Sequence, residues 1–207
     1  MNLSLSKQPM TLPDYYTTHC REYHEKTFHI DPSPFLLPFA ENLQPGAHVL
    51  DIGCGSGRDL LWLTKKGLQA TGFESSNGLA ALARQNSGCK VIIGDFETYD
   101  FSTLQADALL LSGALVHLPQ NRLEPVFKNI LQSLRARTEA TVYLSLKQGQ
   151  GSFTDQQNRT FYLWQDKDIR QVFKNTGLKA IHFSRTPSLL GTGEAWLGYV
   201  LKKEAVK

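Results

Sequence analysis

The sequence predicts an α/β fold, a mostly parallel sheet with helices packed on both of its faces. Two observations carry that expectation. Short apolar runs of strand length alternate with longer segments whose apolar residues recur at helical spacing, the βαβ rhythm of a parallel sheet. The first strand-like run, Val49-Leu50-Asp51-Ile52, opens into Gly53-Cys54-Gly55-Ser56-Gly57 and then an amphipathic stretch, so a glycine turn joins a strand to a helix. At 207 residues the chain suits one domain with a full core, residues 1–207, and no linker is long enough to divide it.

The elements follow in order. Residues 13–27 read as a helix, ended by the Pro-rich break Asp31-Pro32-Ser33-Pro34, and residues 35–42 as a second that leads through Pro45-Gly46 into the first strand. After the glycine turn, Leu60, Leu61 and Leu63 mark a helix face, with Lys65 and Lys66 at its end and Gly67 as its stop. Residues 68–73 form a strand ending at Glu74, and residues 77–85 a helix. Val91-Ile92-Ile93 is a third strand, running into Gly94-Asp95-Phe96, and residues 106–112 a buried fourth. Leu123, Phe127, Ile130, Leu131 and Leu134 trace one face of a helix over 122–135. A fifth strand over 141–146, a helix over 166–175 stopped by Gly177, and strands over 178–183 and 196–201 complete the pattern, the last two as a hairpin-like pair.

The glycine turn is a cofactor-binding turn, because the ligand meets bare backbone and the amides at the next helix start. The dinucleotide pattern is G-x-G-x-x-G, whereas the glycines here fall as G-x-G-x-G and Arg58 stands at the third dinucleotide position. Asp51, two residues before Gly53, suits a ligand with a cationic amino group better than a pyrophosphate. No G-K-[ST] follows, so the turn is not a Walker loop either. The pattern resembles motif I of the class I S-adenosylmethionine-dependent methyltransferases. Glu74 after the second strand, Gly94-Asp95-Phe96 after the third and Ser112-Gly113-Ala114-Leu115-Val116-His117 after the fourth match that family's further elements in order and spacing.

The resemblance implies a Rossmann-like seven-stranded sheet, mostly parallel with the last strand antiparallel, and S-adenosylmethionine as cofactor, released as S-adenosylhomocysteine. It implies a cofactor site of Asp51, Gly53, Cys54, Gly55, Gly57 and Arg58, with Glu74 and Ser75 at the ribose. Asp95 would meet the adenine amine, Phe96 would cover the ring, and Ser112 and Gly113 would lie under the methionine end. Residues 1–44 would form a helical lid, whose Tyr16, Cys20 and Tyr23 share a face; Tyr16 is then the contact to the methionine carboxylate, and core packing is the competing reading of that face. His117 is the candidate general base, against the alternative that it braces the next helix with its ring packed beneath the cofactor. Arg159, Tyr162 and Trp164 would give an aromatic and cationic wall for a small anionic or aromatic acceptor, unless 158–164 is a hairpin covering the sheet edge. Residues 147–155, rich in amides and glycine, read as a loop that closes over substrate.

Composition bounds the partners. A net charge of +3 argues against nucleic acid or an anionic membrane surface, and no apolar run reaches the length of a membrane span. Ser112-Gly113-Ala114-Leu115 stands where methyltransferases of nucleic-acid bases carry an Asn/Asp-Pro-Pro-Tyr/Phe sequence. Residues 1–11 hold no apolar stretch of signal-peptide type, and Cys20, Cys54 and Cys89 lack a Cys-x-x-Cys pair, as expected of a cytoplasmic protein. His19, His24 and His29 recur every five residues, off any single helix face, so no metal is expected. A small-molecule acceptor is the favoured reading; a protein or peptide acceptor, or a non-catalytic protein binding the cofactor, are the alternatives. The atom methylated and the oligomeric state are not encoded in any motif.

Overall fold

A computed structural model describes residues 12–135, 140–191 and 193–203. The expectations placed on residues 1–11 lie outside the described residues. In chain order the elements are α1 (Leu12–Thr18), α2 (Cys20–Thr27), α3 (Ser33–Ala40), β1 (His48–Ile52), α4 (Arg58–Lys65), β2 (Gln69–Glu74), α5 (Asn77–Ser87), β3 (Lys90–Ile93) and β4 (Ala108–Ser112). There follow α6 (Gln120–Leu131), β5 (Thr141–Lys147), β6 (Ser152–Thr154), β7 (Thr160–Tyr162), α7 (Asp166–Asn175), β8 (Leu178–Pro187) and β9 (Ala195–Lys203).

Seven strands form one sheet in the order β3-β2-β1-β4-β5-β9-β8. Strands β1 to β5 pair in parallel, while β9 runs antiparallel to both β5 and β8. The last strand is thus the antiparallel one, slotted inside the edge strand β8. Strand order reverses between β1 and β4, and in open α/β sheets ligands bind outside the carboxyl ends of the strands at such a switch point.

Alternation along the central strands buries both faces. Leu109 and Leu111 join Ile52, Leu144, Leu123, Phe127 and Phe173 in one core. Ala108 and Leu110, one residue out of phase, join Val49, Tyr143, Leu36 and Phe39 in the other. This two-sided burial explains why β4 reads as a continuous apolar run.

Three expectations need correction. The single helix over 13–27 is two, because His19 leaves helical geometry (φ −107°, ψ 23°) and turns the chain between α1 and α2. The strand expected over 178–183 continues to Pro187, paired throughout with β9 past an irregularity at Ala180/His182. Residues 147–155 are not an open loop: Ser152–Thr154 pairs with Thr160–Tyr162 in a separate two-stranded hairpin.

Candidate functional site

The glycine loop is shaped by backbone packing as much as by any ligand. Gly57, the residue before α4, holds φ +88°, and a Cβ there would lie 2.8 Å from the Ala83 backbone of α5. Gly55, at φ +56°, faces the Tyr23 ring, a Cβ there lying 3.5 Å from it. Its amide donates to Glu74 Oε2 at 3.0 Å, and the Ser76 amide donates to Oε1 at 2.9 Å. Glu74 thus ties the loop to the start of α5. Burial pushes its carboxyl up, against the pull of those amides.

Asp51 is costly to bury: it is 1% exposed, and its Oδ2 has no hydrogen-bond partner among the described residues. Burial holds its pKa well above the carboxylate range, the Asp59 charge adds to this, and Arg58 opposes it. Arg58 is occupied by a two-pronged pair with Asp59, at 2.7 and 3.0 Å. Three carboxylates, Asp51, Asp59 and Glu74, therefore sit beside one guanidinium. The cluster is short of positive charge, and an ammonium or sulfonium group would complete it.

Above the carboxyl ends of β1, β4 and β5 lies a cavity of ≈ 470 Å³. Of the residues singled out from the sequence, Tyr16, Gly53, Cys54, Gly55, Arg58, Ser112, Gly113 and Arg159 line it. Asp51 and Gly57 support the loop without reaching the cavity. Glu74, Ser75, Asp95 and Phe96 also lie outside the lining: Ser75 and Asp95 are exposed, and Phe96 packs on the main core. The start of α5 beside them is covered by the N-terminal helices, through Thr17 Oγ1 donating to Ser76 Oγ at 3.3 Å and Cys20 packed on Gly78.

His117 does not present a free base to the cavity. Its Nδ1 lies 2.6 Å from the Thr160 carbonyl, which only accepts, so Nδ1 carries the proton. The Nε2 lone pair then accepts the Tyr16 hydroxyl at 2.9 Å. Burial lowers the imidazole pKa to about 4, and the ring is neutral. With its proton directed at His117, the Tyr16 oxygen accepts from the Arg159 side chain, so a guanidinium stands beside the hydroxyl expected at the methionine carboxylate. Arg159 stacks its guanidinium 4.6 Å from the Tyr15 ring and pairs with Asp155 at 2.6 Å.

Tyr162 and Trp164 are not part of the cavity wall. In the short strand β7, Phe161 faces the cavity, so its neighbour Tyr162 points the other way. Trp164 is 4% exposed within the main core. The sequence reading missed Lys147, Phe153, Phe161, Glu194 and Trp196, which form much of the wall. The available signal was a lysine closing the buried run of β5 at the carboxyl edge of the sheet. Among the described residues no group of three or more His, Cys, Asp or Glu is placed to hold a metal ion, and no helix is long and apolar enough to cross a membrane.

Comparison with known proteins places this geometry. Residues 49–137 match the family model described as a methyltransferase domain. Carboxy-S-adenosyl-L-methionine synthase of Campylobacter fetus is 29% identical over 107 residues, 48% of this chain and 45% of that protein. The chain thus spans about half the length of the curated relative it matches. Among solved structures, a SAM-dependent methyltransferase from Methanosarcina mazei superposes with a TM-score of 0.70 at 16% identity, covering 81% of this chain and 97% of that one. Burkholderia thailandensis 1,6-didemethyltoxoflavin-N1-methyltransferase, solved with 1,6-didemethyltoxoflavin and S-adenosylhomocysteine, gives 0.70 at 18%, covering 96% and 93%. Magnesium protoporphyrin IX methyltransferase from Synechocystis, solved with SAM, gives 0.68 at 17%, covering 97% and 99%. The chain shares the fold of these structures.

Proposed function

We propose that the chain, whose residues 49–137 match a methyltransferase-domain family model, transfers the methyl group of S-adenosylmethionine to a small-molecule acceptor by in-line displacement. When bound, S-adenosylmethionine supplies an electrophilic methyl on a sulfonium whose sulfur leaves as a neutral thioether. The observation that carries the reading is Asp51: a buried carboxylate with an unpartnered oxygen, beside two further carboxylates, at the glycine loop of the switch point. Such a cluster fits a cationic cofactor and does not fit a pyrophosphate.

The residues present then divide the work. Gly53, Gly55 and Arg58 hold the methionine end, Asp51 supplies the compensating negative charge, and Ser112 and Gly113 form the floor. Gly113 is fixed there by donating its amide to Ser145 Oγ at 3.0 Å. Glu74, Ser75, Asp95 and Phe96 take the adenosine end once α1 and α2 move from the start of α5, so the N-terminal segment within residues 1–44 serves as a lid. Because the leaving sulfur needs no proton, catalysis rests on alignment and exclusion of water. His117 contributes by orienting Tyr16.

A small-molecule acceptor is supported by the cavity and by fold neighbours whose names specify 1,6-didemethyltoxoflavin and magnesium protoporphyrin IX. The free thiols of Cys20, Cys54 and Cys89 support a cytoplasmic setting. The test is incubation with S-adenosylmethionine carrying a labelled methyl group and a library of small metabolites. Label in a small product, with stoichiometric S-adenosylhomocysteine, is the expected outcome. Label in protein alone, or cofactor binding with no transfer to any acceptor, contradicts it and leaves the peptide-directed or non-catalytic reading.

A further inference from the structure

On the methyltransferase reading above, we infer that Lys147 is the anchor of the acceptor subsite, and that the acceptor is a planar molecule bearing an anionic oxygen, of the aryl or heteroaryl carboxylate class. Lys147 ends β5 at the carboxyl edge of the sheet, and its side chain is 9% exposed. Burying an ammonium is expensive unless its donors are satisfied. Among the described residues its hydrogen-bond partner is Glu194 alone, at 2.7 Å, which takes one of three N–H donors.

The other neighbours of the ammonium are ring faces. Its Nζ lies 4.6 Å from the centroid of Phe161, 5.2 Å from Trp196 and 5.5 Å from Phe153. Phe153 and Phe161 are themselves stacked, 5.1 Å apart and 19° from parallel. All three rings and the lysine line the cavity. The box offers flat apolar surface to a ring and unfilled N–H donors to an oxygen anion at its end.

A second cation shares the box. The Arg159 guanidinium lies 5.3 Å from the centroid of the same Phe161 ring, with Asp155 on its Nε and one terminal nitrogen. Its planar fork has five donors, so it too retains capacity after its ion pair. The Lys147 side chain is 9% exposed and that of its partner Glu194 22%, with the Glu194 Oε2 atom also buried. Two cations on one ring, with N–H donors left after their ion pairs, favour an anionic ligand over a cationic one. The ends of the cavity then differ in how charge is paired: at the acceptor end Glu194 and Asp155 each pair with a cation that keeps further N–H donors, whereas at the loop Asp51, Asp59 and Glu74 lie near Arg58.

The test is calorimetric titration of the full chain with salicylate, salicylamide and benzylamine, each with and without saturating S-adenosylhomocysteine. Salicylate is expected to bind wild type about tenfold tighter than the neutral salicylamide. Lys147→Met should remove that preference while leaving S-adenosylhomocysteine affinity unchanged, and Lys147→Arg should restore part of it. Equal binding of salicylate and salicylamide to wild type, no binding of salicylate, or tighter binding of benzylamine overturns the assignment, and none of these requires a folded variant. Failure of S-adenosylhomocysteine to bind wild type overturns the methyltransferase reading instead, and the salicylate preference still reports on Lys147 by itself.

Discussion

Asp51 holds a carboxylate in the interior with an oxygen that has no hydrogen-bond partner among the described residues, and its neighbours Asp59 and Glu74 make its ionisation harder still. A raised pKa means the folded state keeps the proton to higher pH than the unfolded chain. Stability from this group is therefore present at low pH and lost as pH rises above the ordinary value of 3.8 through the raised one. A cationic ligand reverses the preference, so its binding expels the proton and tightens as pH rises. Asp51→Asn should leave unfolding stability unchanged or slightly higher, weaken S-adenosylhomocysteine binding by about 1–3 kcal/mol, and flatten the pH slope of that affinity. Calorimetry in two buffers of different ionisation enthalpy reads the released proton, and proton uptake on binding would rule out this role. Asp51 was legible because a carboxylate ahead of a glycine turn is unusual at a phosphate site. Lys147 was not, since one lysine at the end of an apolar run looks like any strand-end charge until Phe153, Phe161 and Trp196 close around it.

Among the described residues the N-terminal helices meet the body through the Tyr16 hydroxyl on His117 and Thr17 on Ser76. His117 is held in turn by the Thr160 carbonyl, so α1, the segment after β4 and the β6–β7 hairpin meet at one imidazole. Tyr16→Phe removes the donor and leaves Nε2 buried without a partner, at a cost of about 1–3 kcal/mol to the closed arrangement. Hydrogen exchange in α1 and α2 should accelerate while β4 and β5 keep their protection; equal acceleration throughout, or none, would show that the contact is no latch. The regular elements were readable from periodicity because β4, α6 and α7 each present an uninterrupted apolar pattern. The break at His19 and the hairpin of Ser152–Thr154 with Thr160–Tyr162 were not, because three-residue strands carry too little alternation to register and helix kinks depend on what the helix packs against.

For the whole molecule, the strand order was available in outline because parallel strands buried on both faces read as apolar runs spaced by helices. The cavity was only partly available. The glycine loop comes from one contiguous motif, but the walls come from Tyr16 of α1, Arg159 beside β7, and Lys147, Glu194 and Trp196, which the pairing of β9 with β5 brings together. The central claim is that this loop binds a sulfonium cofactor and not a dinucleotide. It is tested most directly by titrating the purified chain with S-adenosylhomocysteine, with NAD as control and Gly55→Arg beside it. Gly55 holds φ +56° and faces Tyr23 across the loop, so an arginine there is both strained and in the way of a ligand. Micromolar binding of S-adenosylhomocysteine to wild type, with none for NAD and none for Gly55→Arg, is the expected result. Binding of NAD in its place, or no binding of S-adenosylhomocysteine to wild type, would contradict it.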